Sequence, residues 1–230
     1  MIGRIIAIDG MDGTGKETQS KLLYENLKNK GLKVKLFSFP NYNEDSSYFV
    51  EKYLKEGYCR DIEEDIPILH DIFYSIDRAI TYYKEIKQYY EDGYIIIMDR
   101  YIISNLIFNL HRYIEDFALI GKYCTIIHSL ENRILDIPKA NLNIILYSDP
   151  EVNTKMIETR CKEENINADL NENLQFQTKI FENINAITNA YTYRLNFGEI
   201  EKLLIHDDSG IVYSREVIHD KIMKIIEKYI

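Results

Sequence analysis

The feature that most constrains this chain is a short apolar segment that leads, through a glycine-rich loop, into an amphipathic stretch. Residues 5–8 read Ile-Ile-Ala-Ile, and the loop that follows carries three glycines before Lys16. Glycines let successive backbone N–H groups point inward around phosphate oxygens, and a helix N-terminus adds unpaired donors and the positive end of its dipole. An ordinary glycine-rich turn is the alternative. The position between a buried-type strand and a helix favours a phosphate-binding P-loop.

Because the loop has the form of a P-loop, we expect it to bind the phosphates of ATP through residues 10–18, which are Gly10, Met11, Asp12, Gly13, Thr14, Gly15, Lys16, Glu17 and Thr18. Lys16 would place a full positive charge at the β- and γ-phosphates. Glu17 stands where this motif usually carries a hydroxyl, and Thr18 follows one residue late. Glu17 could help hold Mg²⁺, or it could simply favour the first helical turn electrostatically.

Composition narrows the class of protein. A length of 230 residues predicts one domain over 1–230, and a hydrophobic content of 46% is typical of a globular protein. The net charge of −9 argues against a general nucleic-acid binder. The sequence contains no cluster of lysines and arginines of the kind that predicts nucleic-acid binding. No apolar run in it reaches the ~20 residues of a membrane span. Three widely spaced cysteines favour a reducing compartment over a disulfide framework or a zinc site. Since the chain opens directly into its first strand, we expect no signal peptide and a cytoplasmic protein.

Strand-like and helix-like patterns alternate along the chain. Strands are predicted at 5–8, 34–39, 94–98, 142–147 and 202–205, and helices at 16–30, 46–56, 66–91, 104–130, 150–161, 173–196 and 214–229. Such alternation indicates βαβ units, and hence an α/β fold with a five-stranded parallel sheet. Ligands of these sheets bind at the carboxyl ends of the strands, so the residues just after each strand are the candidate site residues.

The third strand ends in a candidate metal and phosphate site. Asp99 follows Ile-Ile-Ile-Met, the form of a Walker-B strand whose carboxylate holds Mg²⁺ directly or through water. Arg100 beside it could grip a phosphate with two hydrogen bonds. The alternative is a strand-end pair that merely caps the next helix. The P-loop in the same chain favours the functional interpretation.

The predicted helix at 66–91 has two distinct faces. Its core stripe is predicted from helical spacing to be Leu69, Ile72, Phe73, Ile76 and Ile80. Tyr74 and Arg78 lie four residues apart on the opposite face, where they could stack on a base and hold a phosphate. Periodicity alone favours a solvated surface pair instead. Ser104 and Phe108 show the same spacing and the same ambiguity.

Taken together, these motifs resemble the thymidylate kinase family. The family's P-loop is similar to the segment Gly-Met-Asp-Gly-Thr-Gly-Lys-Glu-Thr-Gln of this chain. Its D-R-Y-x-x-S motif is similar to Asp99-Arg100-Tyr101 followed by Ser104, and its base-binding helix is similar to the segment from Tyr74 through Arg78. Phe39-Pro40-x-Tyr42 occurs in one branch of the family, and Pro150-Glu151-Val152 opens a helix as in family members. The motifs occur in the family's order over nearly the full chain.

The resemblance implies transfer of the γ-phosphoryl of ATP to dTMP, with Mg²⁺, in a homodimer with a five-stranded parallel P-loop sheet. It implies a catalytic set of Lys16, Asp99, Arg100 and Arg160, and a Mg²⁺ ligand at Asp99. Glu17 departs from the family's hydroxyl at its position, and as a carboxylate it is a second candidate Mg²⁺ ligand. The acceptor would be bound by Asp12 near the deoxyribose 3′-OH, by Tyr74 on thymine, and further by Phe39, Pro40, Arg78, Arg100, Ser104 and Phe108. A lid at about 160–173 would supply Arg160, or else Lys162, as the cation that neutralises transferring charge.

Three other functions remain open from the sequence. A P-loop kinase acting on a deoxynucleoside or on another monophosphate would share most of these motifs. A GTP-binding switch is disfavoured, because no N-K-x-D guanine signature follows any strand. A nucleotide-binding protein that has lost catalysis would account for Glu17 and for a lid with few cations. Kinase activity with a monophosphate acceptor would separate the lead hypothesis from this last one.

Overall fold

The structure is a computed structural model that describes residues 2–63, 65–113, 116–164, 173–187 and 196–230, with the side chains of residues 117 and 164 excepted. Five parallel strands form one sheet in the order β2-β3-β1-β4-β5. The strands are β1 (Arg4–Gly10), β2 (Val34–Ser38), β3 (Ile95–Asp99), β4 (Leu142–Tyr147) and β5 (Glu199–Leu204). The predicted five-stranded parallel sheet of an α/β fold is therefore confirmed.

The central strand β1 is apolar on both faces because both faces are covered. Ile5 and Ala7 belong to one hydrophobic core, and Ile6 and Ile8 belong to the core on the opposite side. This is the reason for an unbroken apolar run, since a strand with one solvated face would alternate. The register places Ile8 beside Asp99, so the residues that follow β1 and β3 emerge next to each other.

Nine α-helices lie in the described parts of the chain: α1 (Lys16–Asn29), α2 (Tyr48–Glu56), α3 (Leu69–Thr81), α4 (Lys87–Glu91), α5 (Ile103–Asn109), α6 (Phe117–Ser129), α7 (Pro150–Glu164), α8 (Leu174–Ile187) and α9 (Arg215–Ile226). Turns of π-helix follow α3 at Tyr82–Ile86 and α6 at Leu130–Ile134. Among the described residues, no helix has the length and apolar character needed to cross a membrane.

Two predicted helices differ from the observed ones. The segment 66–91 begins at Leu69 and passes through a π-helical turn between α3 and α4. The segment 104–130 is two helices, because the chain leaves α5 at Asn109 and restarts at Asp116, whose Oδ1 accepts a hydrogen bond of 2.7 Å from the Ala118 N–H. An aspartate side chain in this position accepts a hydrogen bond from a free backbone N–H of the first helical turn. The same side chain competes with the backbone hydrogen bonds that would continue the preceding helix. Two parts of the predicted elements lie outside the described residues. They are 188–195 of the helix predicted at 173–196, and 165–172 of the predicted lid.

The predicted core stripe of α3 is wrong. Ile76 and Ile80 are exposed, whereas Ser75 and Arg78 are buried. The prediction of a solvated Tyr74–Arg78 pair is wrong for the same reason, since Arg78 is only 2% exposed. Helical periodicity separates two faces but does not say which one packs against the protein. Here the polar face is turned inward, where other elements provide it with partners.

Candidate active site

A cleft of about 960 Å³ lies at the carboxyl ends of β1, β2 and β3. The residues that follow each of these strands contribute to its lining, as do α3, α5 and α7. Its lining includes all eight residues predicted for the acceptor site, together with two predicted for the phosphate side: Asp12, Glu17, Phe39, Pro40, Tyr74, Arg78, Arg100, Ser104, Phe108 and Arg160. The structure thus brings together in one cleft residues that are up to 148 positions apart in the sequence.

The glycine-rich loop between β1 and α1 curls tightly at its two ends. Gly10 has a φ of 136°, and a Cβ there would lie 1.9 Å from the Leu146 carbonyl oxygen. Gly15 caps α1 with a φ of 79°, a left-handed conformation that glycine adopts without strain. The Lys16 Nζ donates to the Met11 carbonyl oxygen at 2.5 Å, and the Thr14 hydroxyl donates to the same oxygen at 2.8 Å. The loop therefore keeps its cation close to its own backbone.

Lys16 has an unusual electrostatic environment. It is buried, and burial with the nearby charge of Arg100 lowers its pKa to about 8, against the opposing effect of Asp12, Asp99 and Asp9. Its Nζ lies 3.8 Å from the Asp12 Oδ1. A lysine with this pKa is still largely charged at neutral pH, but it responds to the arrival of anionic groups more strongly than an exposed lysine.

Arg100 and Asp12 form an ion pair that links the end of β3 to the glycine-rich loop. The Arg100 Nη2 donates to the Asp12 Oδ1, and the guanidinium lies 5.2 Å from the centre of the Phe108 ring. Burial alone would raise the pKa of Asp12, but Arg100, Lys16 and the more distant Arg160 lower it. Arg100 has a φ of 67°, which is rare for a residue with a side chain and which aims it back over the loop.

Asp9 is a site residue that the sequence prediction missed. It is fully buried at the carboxyl end of β1. Its Oδ1 accepts hydrogen bonds from the Ser104 hydroxyl and, at 3.1 Å, from the Tyr101 N–H, whereas its Oδ2 has no partner in the described part of the chain. Burial raises the pKa of Asp9. Its position at a strand end, like that of Asp99, was the signal that could have identified it.

The carboxylates around Asp99 suit a hard cation that arrives with a nucleotide. Burial raises the pKa of Asp99, and the neighbouring charges of Asp9 and Glu17 raise it further. The described residues contain no group of three or more ligands that could hold a metal ion by themselves. One or two carboxylate oxygens completed by phosphate oxygens and water are the usual Mg²⁺ environment in kinases. The unpartnered Asp9 Oδ2 and the adjacent Asp99 fit that environment.

Glu17 is exposed at the start of α1 and pairs with Lys21. Its side chain is 72% exposed, and its Oε1 lies 2.5 Å from the Lys21 Nζ. Such a pair at i,i+4 on a helix surface is screened by water and contributes little to stability. Glu17 also lines the mouth of the cleft. Both interpretations of Glu17, as a Mg²⁺ ligand and as a helix-start residue, therefore have a structural counterpart.

Arg78 is held by a buried network that sequence reasoning did not find. Its Nε donates to the Glu131 Oε1 at 3.0 Å, its Nη2 also contacts that oxygen, and its Nη2 donates to the Asn105 Oδ1 at 2.9 Å. Ser75 donates to the same Glu131 oxygen at 2.6 Å. Burial opposes the charge of Arg78, but Glu131 raises its pKa, so it stays charged. Glu131 lies 53 residues away in the chain, and no local pattern connects the two.

Another part of the cleft lining comes from the segment after β2. Phe39 and Pro40 line the cleft, and Asp77 ties this segment to α3 by accepting hydrogen bonds from the Asn41 N–H at 2.9 Å and the Ser46 hydroxyl at 2.6 Å. Tyr74 is half-buried in the same cleft, and burial raises its pKa. Arg160 reaches the cleft from α7, whereas Lys162 is exposed. Of the two candidate lid cations, Arg160 is the one that lines the cleft.

Comparisons with known proteins agree with this arrangement. The chain is 30% identical over 158 residues to the "Probable thymidylate kinase" of Archaeoglobus fulgidus, with 69% of this chain and 71% of that protein aligned. It is 36% identical over 107 residues to the thymidylate kinase of Plasmodium falciparum, with 46% and 48% aligned. The aligned region thus spans about half the length of some relatives.

The structure superposes on the thymidylate kinase of Candida albicans with a TM-score of 0.63 at 23% identity, covering 99% of this chain and 92% of that one. This likeness shows a shared fold. The sequence model of the family described as thymidylate kinase matches residues 8–203, which contain every residue discussed for the cleft. This chain belongs to the thymidylate kinase family.

Proposed function

We propose that this protein is an enzyme that transfers the γ-phosphoryl group of ATP to dTMP, giving ADP and dTDP. The observation that carries the proposal is the ion pair of Arg100 with Asp12, which places a cation between the phosphate-binding loop and the pocket of Tyr74 and Arg78. A donor triphosphate held by the loop and an acceptor held by α3 and α5 would meet beside Arg100. In-line transfer depends chiefly on such positioning and on charge neutralisation.

Each cation in the cleft has a distinct task under this proposal. Lys16, now bonded to the Met11 carbonyl, would exchange that contact for the stronger charge-assisted bond to a phosphate oxygen. Arg100 would hold the acceptor phosphate in line with the donor. Arg160 would neutralise charge that develops on the transferring group. Because Asp12 pairs with Arg100, it would orient this arginine as well as face the acceptor sugar.

Mg²⁺ is the cofactor that this site implies, with Asp99 and Glu17 as its predicted protein partners and Asp9 as an added candidate. When bound, the ion would neutralise charge on the β- and γ-phosphates and so lower the barrier to transfer of the γ-phosphoryl group. Asp9 has a second task that needs no metal. By accepting from both Tyr101 and Ser104, it fixes the first turn of α5 against the end of β1.

The acceptor pocket favours a pyrimidine with a carbonyl edge. Tyr74 offers a ring for stacking, and the bonds described for Arg78 engage Nε and Nη2, so that Nη1 can meet a ligand. Asn105 lines the cleft with a buried Nδ2 that has no partner among the described residues. Both groups are donors, which match the carbonyl oxygens of thymine and oppose the exocyclic amine of cytosine.

A panel of acceptors with ATP and Mg²⁺ tests the proposal. We expect dTMP to be phosphorylated in preference to dUMP, dCMP, dAMP and dGMP, with the margin over dUMP on the order of 10–200-fold because one methyl group separates the two. Equal or better turnover of a purine monophosphate would reject the assignment to dTMP. Preference for free thymidine would indicate a nucleoside kinase. ATP binding without transfer to any acceptor would indicate lost catalysis.

We further propose that the protein acts as a homodimer. The outward face of α3 carries Ile76, Ile80 and the nearby Tyr83, all exposed. The Tyr83 hydroxyl donates to the Leu135 carbonyl at 3.0 Å, which joins this face to the π-helical turn that ends in Ile134, itself 74% exposed. A contiguous apolar surface of this kind marks an interface. We also propose a cytoplasmic location, because the three widely spaced cysteines in the sequence favour a reducing compartment.

A further inference from the structure

Asp71 is a buried carboxyl group that the proposed reaction does not use. It lies in the first turn of α3 and is 0% exposed. Its Oδ1 accepts a hydrogen bond of 3.0 Å from the Asn109 amide on α5, and its Oδ2 lies 3.1 Å from the Tyr123 hydroxyl on α6. Asp71 thus joins α3 and α5, the two helices that line the acceptor pocket, to α6.

The surroundings of Asp71 favour its protonated form. The titratable and charged groups that face it come from α3, from the segment after α5 and from α6: His70, Arg78, Arg112, Tyr113 and Tyr123. Its two arginines already pair with Glu131 and Glu63, and burial lowers the pKa of His70 to about 4, so this ring is neutral at pH 7. An unpaired buried carboxylate is costly. Burial accordingly raises the pKa of Asp71 to about 8.

The Tyr123 hydroxyl lies between two possible acceptors. It is 3.1 Å from the Asp71 Oδ2 and 3.0 Å from the Asn105 carbonyl oxygen. Burial raises the pKa of Tyr123 well above its ordinary value, so its hydroxyl keeps one proton, which it can donate to one of the two. An ionised Asp71 would accept that proton and leave the contact with Asn105 without one. A protonated Asp71 donates to Tyr123, which then donates to Asn105, so that both contacts are hydrogen bonds.

The Asn105 end of this relay lies in the acceptor pocket. Asn105 lines the cleft, and its Oδ1 accepts a hydrogen bond of 2.9 Å from the Arg78 Nη2. The Tyr123 hydroxyl therefore fixes the backbone of a residue whose side chain holds the arginine proposed to meet the base. The Asn109 Nδ2, at 3.2 Å from the same carbonyl, supports it in either state of Asp71. Ionisation of Asp71 should thus weaken this support without removing it.

We propose that Asp71 is a positioning residue for the acceptor, and that its protonated form holds Asn105 and Arg78 in place through Tyr123. The inference rests on the proposed function, because it takes the base of dTMP to lie beside Arg78 and Asn105. Asp71 does not line the cleft, so it acts on the affinity for the acceptor and not on the transfer step. Deprotonation turns the Tyr123 hydroxyl from Asn105 to Asp71, and dTMP is then bound less tightly.

Calorimetric titration with dTMP in the absence of ATP, at pH 7, 8 and 9, tests this role in the wild type and in Asp71→Asn. The asparagine amide can donate to Tyr123 and accept from Asn109 at any pH, so it mimics the protonated form. We expect the two proteins to have the same Kd at pH 7. The wild-type Kd should then exceed that of the variant by a factor that rises toward about five above pH 8, the factor of one net hydrogen bond. Lys16 and dTMP titrate alike with both proteins and cancel in this ratio.

A second variant and a spectrum separate the relay from a merely structural role. Tyr123→Phe removes the relay and keeps Asp71, so its Kd for dTMP should be about fivefold that of Asp71→Asn at pH 7 and should keep this ratio to pH 9. The Kd for ATP at pH 7 is the reference for correct folding. The infrared difference spectrum between the wild type and Asp71→Asn at pH 7 should contain the C=O stretch of a carboxylic acid, which weakens as the pH rises through 8.

Different outcomes separate this inference from the proposed function. Equal Kd values for dTMP in the wild type and Asp71→Asn at every pH would overturn the inference and leave the proposed function standing. A missing carboxylic acid band at pH 7, or a Tyr123→Phe variant that binds dTMP as the wild type does at pH 7, would overturn it as well. If the wild type binds no dTMP at any pH, the proposed function fails, and the positioning role of Asp71 fails with it.

Discussion

The Nε of Arg78 donates to the Glu131 Oε1 at 3.0 Å, and both side chains are almost completely buried. We predict that Glu131→Gln raises KM for dTMP about tenfold while changing kcat much less, because Arg78 loses the carboxylate that fixes its guanidinium toward the base. Truncating a buried ion pair costs about 3–5 kcal/mol, so Glu131→Leu should also lower the free energy of unfolding by that amount. Steady-state kinetics and urea denaturation measure the two effects.

Ser75→Ala is the matched control for Glu131. It removes one hydrogen bond to the same carboxylate but leaves the ion pair in place. We expect it to cost about 1 kcal/mol of stability and to leave KM for dTMP within twofold. Equal kinetic effects of Ser75→Ala and Glu131→Gln would show that Glu131 stabilises the fold without orienting Arg78.

Lys16 should make ATP binding depend on pH above neutrality. Since the pKa of Lys16 is lowered to about 8 in the protein without ATP, its charge is lost as the pH rises through that value. Binding a phosphate requires the charged form, so the Kd for ATP should rise, approaching tenfold per pH unit well above pH 8, with uptake of a proton on binding. Calorimetry in buffers of different ionisation enthalpy measures both. Lys16→Arg, which stays charged, should bind with a flat profile over pH 7–9.5.

Arg100→Ala should reduce kcat/KM for dTMP by about 10²–10³-fold, because it leaves the acceptor phosphate uncompensated at the reacting centre. The Kd for ATP should change far less. Arg100→Lys should recover only part of the loss, because an ammonium cannot make the two parallel bonds of a guanidinium. Arg215→Ala, at an exposed position on α9, serves as the control for loss of positive charge. A loss confined to ATP affinity would place Arg100 on the donor side instead.

Glu17 should be replaceable by serine. If Glu17 helps to hold Mg²⁺, Glu17→Ser restores the usual hydroxyl and should keep or raise the rate, whereas Glu17→Lys should lower it by repelling the ion from the phosphates. Titration of the rate against Mg²⁺ is the measurement. Lys21→Gln breaks the Glu17–Lys21 pair without altering Glu17. An unchanged Mg²⁺ dependence in Glu17→Ser, Glu17→Gln and Lys21→Gln would assign Glu17 to the helix start alone.

A charge on the exposed face of α3 should dissociate the dimer. Ile80→Asp would bury a carboxylate in an apolar interface, and we expect a shift from dimer to monomer in sedimentation velocity at micromolar protein. Ile211→Asp introduces the same charge at another exposed isoleucine, on the segment after β5, and should leave the dimer intact. A wild type that sediments as a monomer would refute the proposal of a homodimer.

Much of the fold could be predicted because its signals are local. The apolar run of β1 is buried on both faces, and the glycines at positions 10 and 15 occupy backbone conformations that other residues adopt only with strain. Asp99 stands at a strand end, where parallel sheets gather their ligands. Each of these features depends on neighbouring residues, so the sequence by itself determined the sheet, the loop and the strand-end location of the cleft.

Only the tertiary structure decided which face of α3 turns inward. Periodicity assigned its isoleucines to the core, yet Ile76 and Ile80 face outward, because Arg78 and Ser75 meet Glu131 from a π-helical turn more than fifty residues away. Asp9 likewise became a site residue through Ser104, 95 residues later in the chain. A buried polar group is stable only beside its partner. Those partnerships are set by how distant elements pack, which no local pattern records.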